Sequence, residues 1–354
     1  MVKIFNYRQI AENFQNEIKA AAKGKTTSLP FIIHRLSPIP LVKDGEKFQV
    51  LKIGGSICQN ALVYKKEQKV IVESLEEEHL PIFSSGKSLL ALVKSHLRKK
   101  IKVLALNFAY PLKPVLENGR LDGVLISGSK EHAFFGLVGK QVGLEIEKFI
   151  KLKFNKQIIV TLANDTICLA LSGLGTAGPL GLAGGIVGTG MNFAFFLDEQ
   201  TLVNLQSANF DRFPQSVSGL QVDAQSIKPG EALFEKEVSG AYLFQHYNLR
   251  RKKESGMIES THQMDKVARG EISGDKLLAR DLFKYSAELI SCQIAGMANF
   301  KKRDMVFVME GSLFWVGYNY RKTVEETVKS LTKYKVKFKE IKDCGIVGAA
   351  QLAV

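Results

Sequence analysis

Two related α/β domains facing a cleft are what this sequence predicts, and three observations predict them. Apolar or β-branched runs such as Ile158–Thr161 alternate along the chain with segments of helical periodicity. Three glycine turns sit at strand ends: Gly54-Gly55-Ser56, Gly188-Thr189-Gly190 and Gly311-Ser312. Glycine at such a turn lets backbone N–H groups approach an anion closely. At 354 residues the chain exceeds one ordinary core and suits two.

The elements follow in order. Residues 6–22 predict a helix: Asn6 and Gln9 form a capping pair, Ile10, Phe14 and Ile18 share a face, and Gly24 stops it. SLPFIIHRLSPIPLVKDGEK is rich in breakers and reads as an extended linker. KFQVLKIGG and SICQNALVYKKE read as two strands around a Gly-Gly turn, and QKVIVESLEEE as a third. GKSLLALVKSHLRKK is a helix with Leu89, Leu90, Val93 and Leu97 inward. IKVLALNFAYP is a buried strand ended by Pro111, GLVGKQVGLEIEKFIKLKF a helix, and KQIIVTL a strand again.

The second half repeats the plan. GGIVGTGMNFAFFLDEQTLVNLQ reads as strand, glycine turn, strand. Residues 275–300 form a long helix, and DMVFVMEGSLF a buried strand with a glycine turn. YRKTVEETVKSL is helical, KYKVKFKEI alternates like an edge strand, and GIVGAAQLAV closes as a small-residue helix.

Composition narrows the function. The net charge of +14 first suggests nucleic acid. But the basic clusters at 98–102, 250–253 and 301–303 carry no interleaved aromatics and no nucleic-acid motif. They read as a solvated surface that also attracts anionic ligands, so no nucleic-acid partner is expected. Thr166–Leu197 has no formal charge and is long enough to span a bilayer. Its repeated glycines and Pro179 argue instead for a buried segment off any membrane. The charged, polar N-terminus leads to the expectation of no secretory signal, and Cys58, Cys168, Cys292 and Cys344 are widely spaced. Reduced thiols in a cytoplasmic protein are expected, with neither disulfides nor a zinc motif. The scattered histidines give no ligand spacing either.

One segment poses a question. In LANDT, Asp165 stands at the tip of an apolar strand with no evident salt-bridge partner. From these residues alone a helix N-cap is the simpler reading.

The motifs in their order resemble the hexokinase family, within the actin-like ATPase (ribonuclease H-like) fold. The likeness runs from LKIGGS to the C-terminus. LKIGGSICQNALV is similar to the family's first phosphate hairpin, LNFAYP to a sugar-loop strand, and GVLISGSKEHAFFG to the small-domain sugar loop. TLANDTICLAL resembles the catalytic strand end, and GGIVGTGMNFAFFL the glycine hairpin. PGEALFEKEVSGAYL, VFVMEGSLF and CGIVGAAQLAV resemble the proline–glycine–helix segment, the second phosphate motif and the adenosine-side helix.

The family transfers phosphate from ATP to a hexose 6-hydroxyl. The resemblance implies ATP with Mg²⁺, a glucose-like substrate, and a monomer or homodimer. It makes Asp165 the catalytic base and puts Lys130 near the developing charge. It gives Ser129, Lys130, Asn164, Asn192, Gln206 and Glu235 to the sugar. Gly54, Gly55, Ser56, Gly188, Thr189, Gly190, Gly311, Ser312 and Gly345 would face the nucleotide. It implies a small domain over 45–166 with the 344–354 helix, a large domain over 167–343, and the first 44 residues packed on the latter, around a central cleft.

The chain also departs from the family pattern. Lys52 stands for an aspartate that helps hold the Mg²⁺ shell, and Gln59 for an arginine. Ala109 stands for a sugar-facing serine, Gln206 for a glutamate, and Glu310 for an aspartate. No protein ligand is assigned to the metal. A regulatory relative that binds sugar or nucleotide without turnover is the alternative these changes imply.

Overall fold

The computed structural model describes residues 6–67, 69–129 and 131–354. The chain opens with α1 (Tyr7–Ala21), capped as the sequence predicts: Asn6 Oδ1 accepts from the Gln9 amide at 3.2 Å. β1 (Ile32–Arg35) follows, inside the segment expected to be a linker. β2 (Lys47–Ile53), β3 (Ile57–Lys66) and β4 (Lys69–His79) form an antiparallel meander. Then come α2 (Gly86–His96), β5 (Val103–Phe108), β6 (Leu112–Glu117), β7 (Arg120–Leu125), α3 (Val142–Phe154), β8 (Ile159–Ala163) and α4 (Asp165–Ser172).

β9 (Leu182–Val187), β10 (Met191–Phe196) and β11 (Thr201–Asn204) precede four short helices, α5 (Val217–Gln225), α6 (Leu233–Val238), α7 (Leu243–Arg250) and α8 (Thr261–Arg269). The long α9 (Lys276–Lys301), β12 (Met305–Glu310), α10 (Ser312–Val316), α11 (Tyr320–Leu331), β13 (Val336–Lys339) and α12 (Cys344–Ala350) complete the chain. Gly311 therefore stands between the end of β12 and a short helix; its φ of 117° is open to glycine and strained for other residues.

The contacts divide the chain into two compact units. One comprises Ile32–Gly184, Ala194–Asn204 and Ile341–Val354. Its five-stranded sheet has the order β4-β3-β2-β5-β8, with β2, β5 and β8 mutually parallel. The side chains alternate, as a pleated strand requires. Leu51, Ile53, Cys58, Leu104, Leu106, Val160 and Leu162 join Leu89, Leu92 and Val93 of α2 and Ile146 and Ile150 of α3 in one buried cluster. α12 packs against α4, where Gly348 lies so near Cys168 that an added Cβ would stand 1.7 Å from its carbonyl oxygen. β1 pairs antiparallel with β11 through Ile32–Arg35 against Thr201–Asn204. β6 and β7 form a hairpin that the sequence did not announce.

The other unit runs to Phe31 and takes Gly185–Phe193 and Leu205–Glu340. Its centre is α9, buried along most of its length. α1 crosses it where Gly296 permits close approach; a Cβ there would lie 2.9 Å from the Ala11 carbonyl oxygen. Tyr7 Oη donates to Glu288 across the same contact at 2.7 Å. β12 and β13 pair in parallel. Among the described residues no helix is long and apolar enough to cross a membrane.

Candidate active site

In the first unit, three parallel strands end side by side. Register places Ile53 beside Phe108, and Asn107 beside Ala163. Gly54-Gly55, Ala109-Tyr110 and Asn164-Asp165 therefore lie at adjoining carboxyl ends, where open α/β sheets place ligands.

Asp165 is the first residue of α4, and the N-cap is Asn164. Asn164 Oδ1 accepts from the Ile167 amide at 3.1 Å and from Asn204 Nδ2 at 3.2 Å. The capping explanation for Asp165 thus passes to its neighbour. Asp165 Oδ1 instead collects three donors: the Thr166 amide at 2.7 Å, Asn164 Nδ2 at 2.9 Å and Thr166 Oγ1 at 3.2 Å. Oδ2 takes none of those three bonds. Asn204 went unassigned from the sequence, although it opens the NLQ segment from which Gln206 was chosen.

Behind Asp165 lies Cys168, fully buried. Burial pushes its thiol well up, the Asp165 charge pushes it further, and Lys52 opposes them. Lys52 lays its stem over Gly345, where an added Cβ would meet Lys52 Cδ and Asn107 Nδ2, each at 2.8 Å. The same Asn107 amide donates to the Gly345 carbonyl at 3.2 Å. Gly345 thus meets Lys52 and Asn107, within the same unit.

The first glycine turn is tied back by two residues that sequence reasoning missed. Tyr110 Oη donates to the Gly54 carbonyl at 2.7 Å. His132 Nδ1 accepts from the Phe83 amide at 2.9 Å, so its Nε2–H donates to the Gly55 carbonyl at 3.2 Å. In a trans peptide the N–H points opposite the C=O. The amides of Gly55 and Ser56 are thereby aimed away from Tyr110 and His132. Ser129 bonds through its carbonyl to the His132 amide at 3.0 Å. Lys130 lies outside the described residues.

The second unit treats its glycine turn alike. The Gly188 and Thr189 carbonyls accept from the Gly240 and Ala241 amides at 2.8 and 3.0 Å. The same peptide geometry turns the Thr189 and Gly190 amides the other way. Glu235, at the start of α6, accepts the Met191 amide on Oε2 at 2.9 Å. Burial raises its pKa, against the opposing Met191 amide and Lys236. Asn192 Oδ1 accepts from the Phe193 and Ser207 amides at 2.8 and 3.2 Å, fixing the turn at Gln206, whose φ is 48°. Gly188 and Gly311 touch: a Cβ on Gly188 would stand 3.3 Å from Gly311 Cα.

Beside these turns is a cavity of about 270 Å³ lined by Gly188, Thr189, Gly240, Thr261, Asp265, Phe283, Ser312 and Val316, among others. Thr261, Asp265 and Phe283 were not marked from the sequence, because nothing local distinguishes them from ordinary helix residues.

A hexokinase family profile matches residues 251–354. Hexokinase-2 of Solanum tuberosum is 23% identical, with 98% of this chain and 87% of that protein covered. The hexokinase from Schistosoma mansoni, solved in complex with glucose, superposes with a TM-score of 0.75 at 18% identity over 98% of this chain and 94% of that one. In sequence the chain is similar to hexokinases, at low identity. Its α/β fold is the hexokinase fold. Hexokinase-9 of Oryza sativa subsp. japonica is 24% identical over 67% of this chain and 53% of that protein, so this hexokinase relative spans about half the length matched there.

Proposed function

We propose that this chain transfers the γ-phosphoryl group of ATP to the 6-hydroxyl of a glucose-like hexose. Asp165 carries the reading: a partly buried carboxylate at the end of β8, one oxygen fixed by three donors. Asp165 accepts the hydroxyl proton as the sugar oxygen bonds to the γ-phosphorus. The bond from that phosphorus to the β,γ-bridging oxygen breaks, and ADP leaves. Such a transfer needs alignment and donors around the phosphates more than covalent help. The outward amides at Gly55, Ser56, Thr189 and Gly190 suit that task, and the 270 Å³ cavity supports nucleotide binding beside the second turn. Asn164, Asn192, Gln206 and Glu235 are proposed for the sugar hydroxyls. Ser129 and Lys130 rest on resemblance alone. Glucose in the Schistosoma mansoni hexokinase supports the substrate class.

Mg²⁺ would come with ATP and neutralise phosphate charge. Lys52, held over Gly345, does not fit a metal shell, and no step is assigned to the ion.

Lys52 favours a second reading, a binding protein without turnover. ADP release measured over a panel of hexoses, for wild type and Asp165→Ala, separates the two. Sugar-dependent ADP release lost in Asp165→Ala is expected. No turnover with any hexose, alongside measurable sugar binding, would favour the second reading.

A further inference from the structure

We propose that Cys58, Glu78 and His96 form a binding site for a zinc-class divalent cation, apart from the Asp165 region. The three offer a sulfur, a carboxylate oxygen and an imidazole nitrogen, all within 4.8 Å of one another. That set suits zinc, and its soft sulfur and nitrogen disfavour Mg²⁺ and Ca²⁺.

The sequence spaces these residues widely, and the fold gathers them. Cys58 on β3 stands directly opposite Glu78 on β4, so both side chains leave the sheet on one face. His96 is delivered to that face by the last turn of α2. Its Nε2 lies 3.2 Å from Glu78 Oε1. Two ligands on a tetrahedral zinc stand about 3.3 Å apart, given bonds near 2.0 Å. With zinc–sulfur bonds near 2.3 Å, sulfur would stand about 3.5 Å from the other two ligands, so it must close by roughly 1.3 Å at most.

The groups that orient His96 are already in place. His96 Nδ1 lies 2.9 Å from the Leu92 carbonyl, which can only accept, so Nδ1 carries a proton. In the neutral ring that leaves the Nε2 lone pair facing Glu78, the tautomer a metal needs. The alternative, an imidazolium paired with Glu78, uses the same contact without a metal. Gln49, fully buried, donates to the His96 carbonyl at 2.8 Å and to Asn60 at 2.6 Å, and accepts the Arg98 amide at 3.0 Å. The end of α2 is thus held in register with β2 and β3.

An entry path is open at Glu78. Cys58 is fully buried, whereas the Glu78 side chain is 51% exposed. On binding, the Cys58 thiol gives its proton to solvent and the thiolate donates an electron pair to the cation. Water takes the fourth position. The clip would join β3, β4 and α2.

The test uses the full chain, stripped with chelator and titrated with Co²⁺, then Zn²⁺. A thiolate-to-cobalt absorption band that saturates at one ion per chain, and is removed by Zn²⁺, is expected. Cys58→Ala abolishes the band. His96→Gln and Glu78→Gln, both changes at partly exposed side chains, weaken Zn²⁺ binding by about tenfold or more. Circular dichroism checks that each variant is folded, and if Cys58→Ala is not, the other two decide. Absence of the band in folded wild type overturns the proposal. So does a band that survives Cys58→Ala, or a Zn²⁺ affinity unchanged by His96→Gln. None of these outcomes depends on sugar kinase activity.

Discussion

The Met191 amide donates to Glu235 Oε2 at 2.9 Å, and that oxygen lies 2.9 Å from where a Cβ on Gly190 would stand. One carboxylate therefore sets the start of β10 and crowds any side chain placed at Gly190. Glu235→Ala leaves the amide unsatisfied and should cost about 1–3 kcal/mol in denaturant unfolding. Glu235→Gln keeps an acceptor and should cost less. The pH dependence has a definite sign. Burial raises the folded pKa of Glu235, so the folded state holds this proton more tightly than the unfolded chain. The resulting stability is complete below the ordinary glutamate value of about 4.3 and is lost as pH rises through the folded pKa. Wild type should lose stability relative to Glu235→Gln over that window. Parallel unfolding curves at several pH values would test this; no relative loss refutes it.

Tyr110→Phe removes the donor to Gly54 while keeping the ring that stands 4.7 Å from Phe134, edge to face. Stability should fall by about 0.5–1.5 kcal/mol. The larger effect should be on nucleotide binding, because a freed Gly54 carbonyl lets the Gly55 amide swing. Calorimetric titration with a non-hydrolysable ATP analogue should show weaker binding, with sugar affinity unchanged. Equal loss for both ligands would point to general loosening instead.

Gly348→Ala should be among the most damaging single changes in the chain. A Cβ 1.7 Å from the Cys168 carbonyl oxygen cannot be absorbed by a side-chain rotation, since backbone meets backbone. α12 must move off α4. Overpacking of this kind costs roughly 1–3 kcal/mol and occasionally more. Urea unfolding of Gly348→Ala beside Gly175→Ala, where nothing lies within 4 Å, gives the comparison. Similar midpoints would show that the α4–α12 contact yields.

Much of this was legible in the sequence, where the signal was local. The cap of α1, the β2–β3 turn and the long α9 follow from caps, glycines and periodicity over a few residues. β1 was hidden because prolines and Gly45 flank a short strand whose pairing with β11 is distant in sequence. β6 and β7 were hidden because their burial does not alternate cleanly: β6 ends exposed at Leu116 and Glu117, and β7 buries Leu121, Asp122 and Gly123 in a row. In LANDT, sequence could see that a cap was needed, but not that Asn164 would provide it while Asp165 gathered other donors. Tyr110 and His132 escaped notice because a carbonyl tied back by a distant side chain leaves no linear trace. Cys58, Glu78 and His96 meet only through cross-strand register and the docking of α2.

Asp165→Asn tests the base directly. The amide can keep an acceptor toward the Thr166 amide, so α4 should start as before and the melting temperature should hardly move. It cannot take the hydroxyl proton. The expected loss is about 10²–10⁴ in kcat, with the sugar KM nearly unchanged. A variant that retains wild-type kcat assigns proton removal elsewhere.

Under the proposed function, Lys52 is the residue whose replacement tests how phosphate is met. It sits one residue before the end of β2, just ahead of the Gly54-Gly55 turn, with its stem over Gly345. A charged hydrogen bond to phosphate is worth about 1.5–3 kcal/mol, or roughly ten- to a hundredfold in affinity. Lys52→Met keeps a stem over Gly345 and removes the charge. If the ammonium meets phosphate, ATP should bind about tenfold more weakly or worse, with sugar affinity and melting temperature close to wild type. Lys52→Asp should bind ATP more weakly still without Mg²⁺, because like charges then face each other, and should regain part of that loss as Mg²⁺ is added. If Lys52 serves only to pack Gly345, Lys52→Met will bind ATP as wild type does, and calorimetric titration of the two proteins side by side would show it.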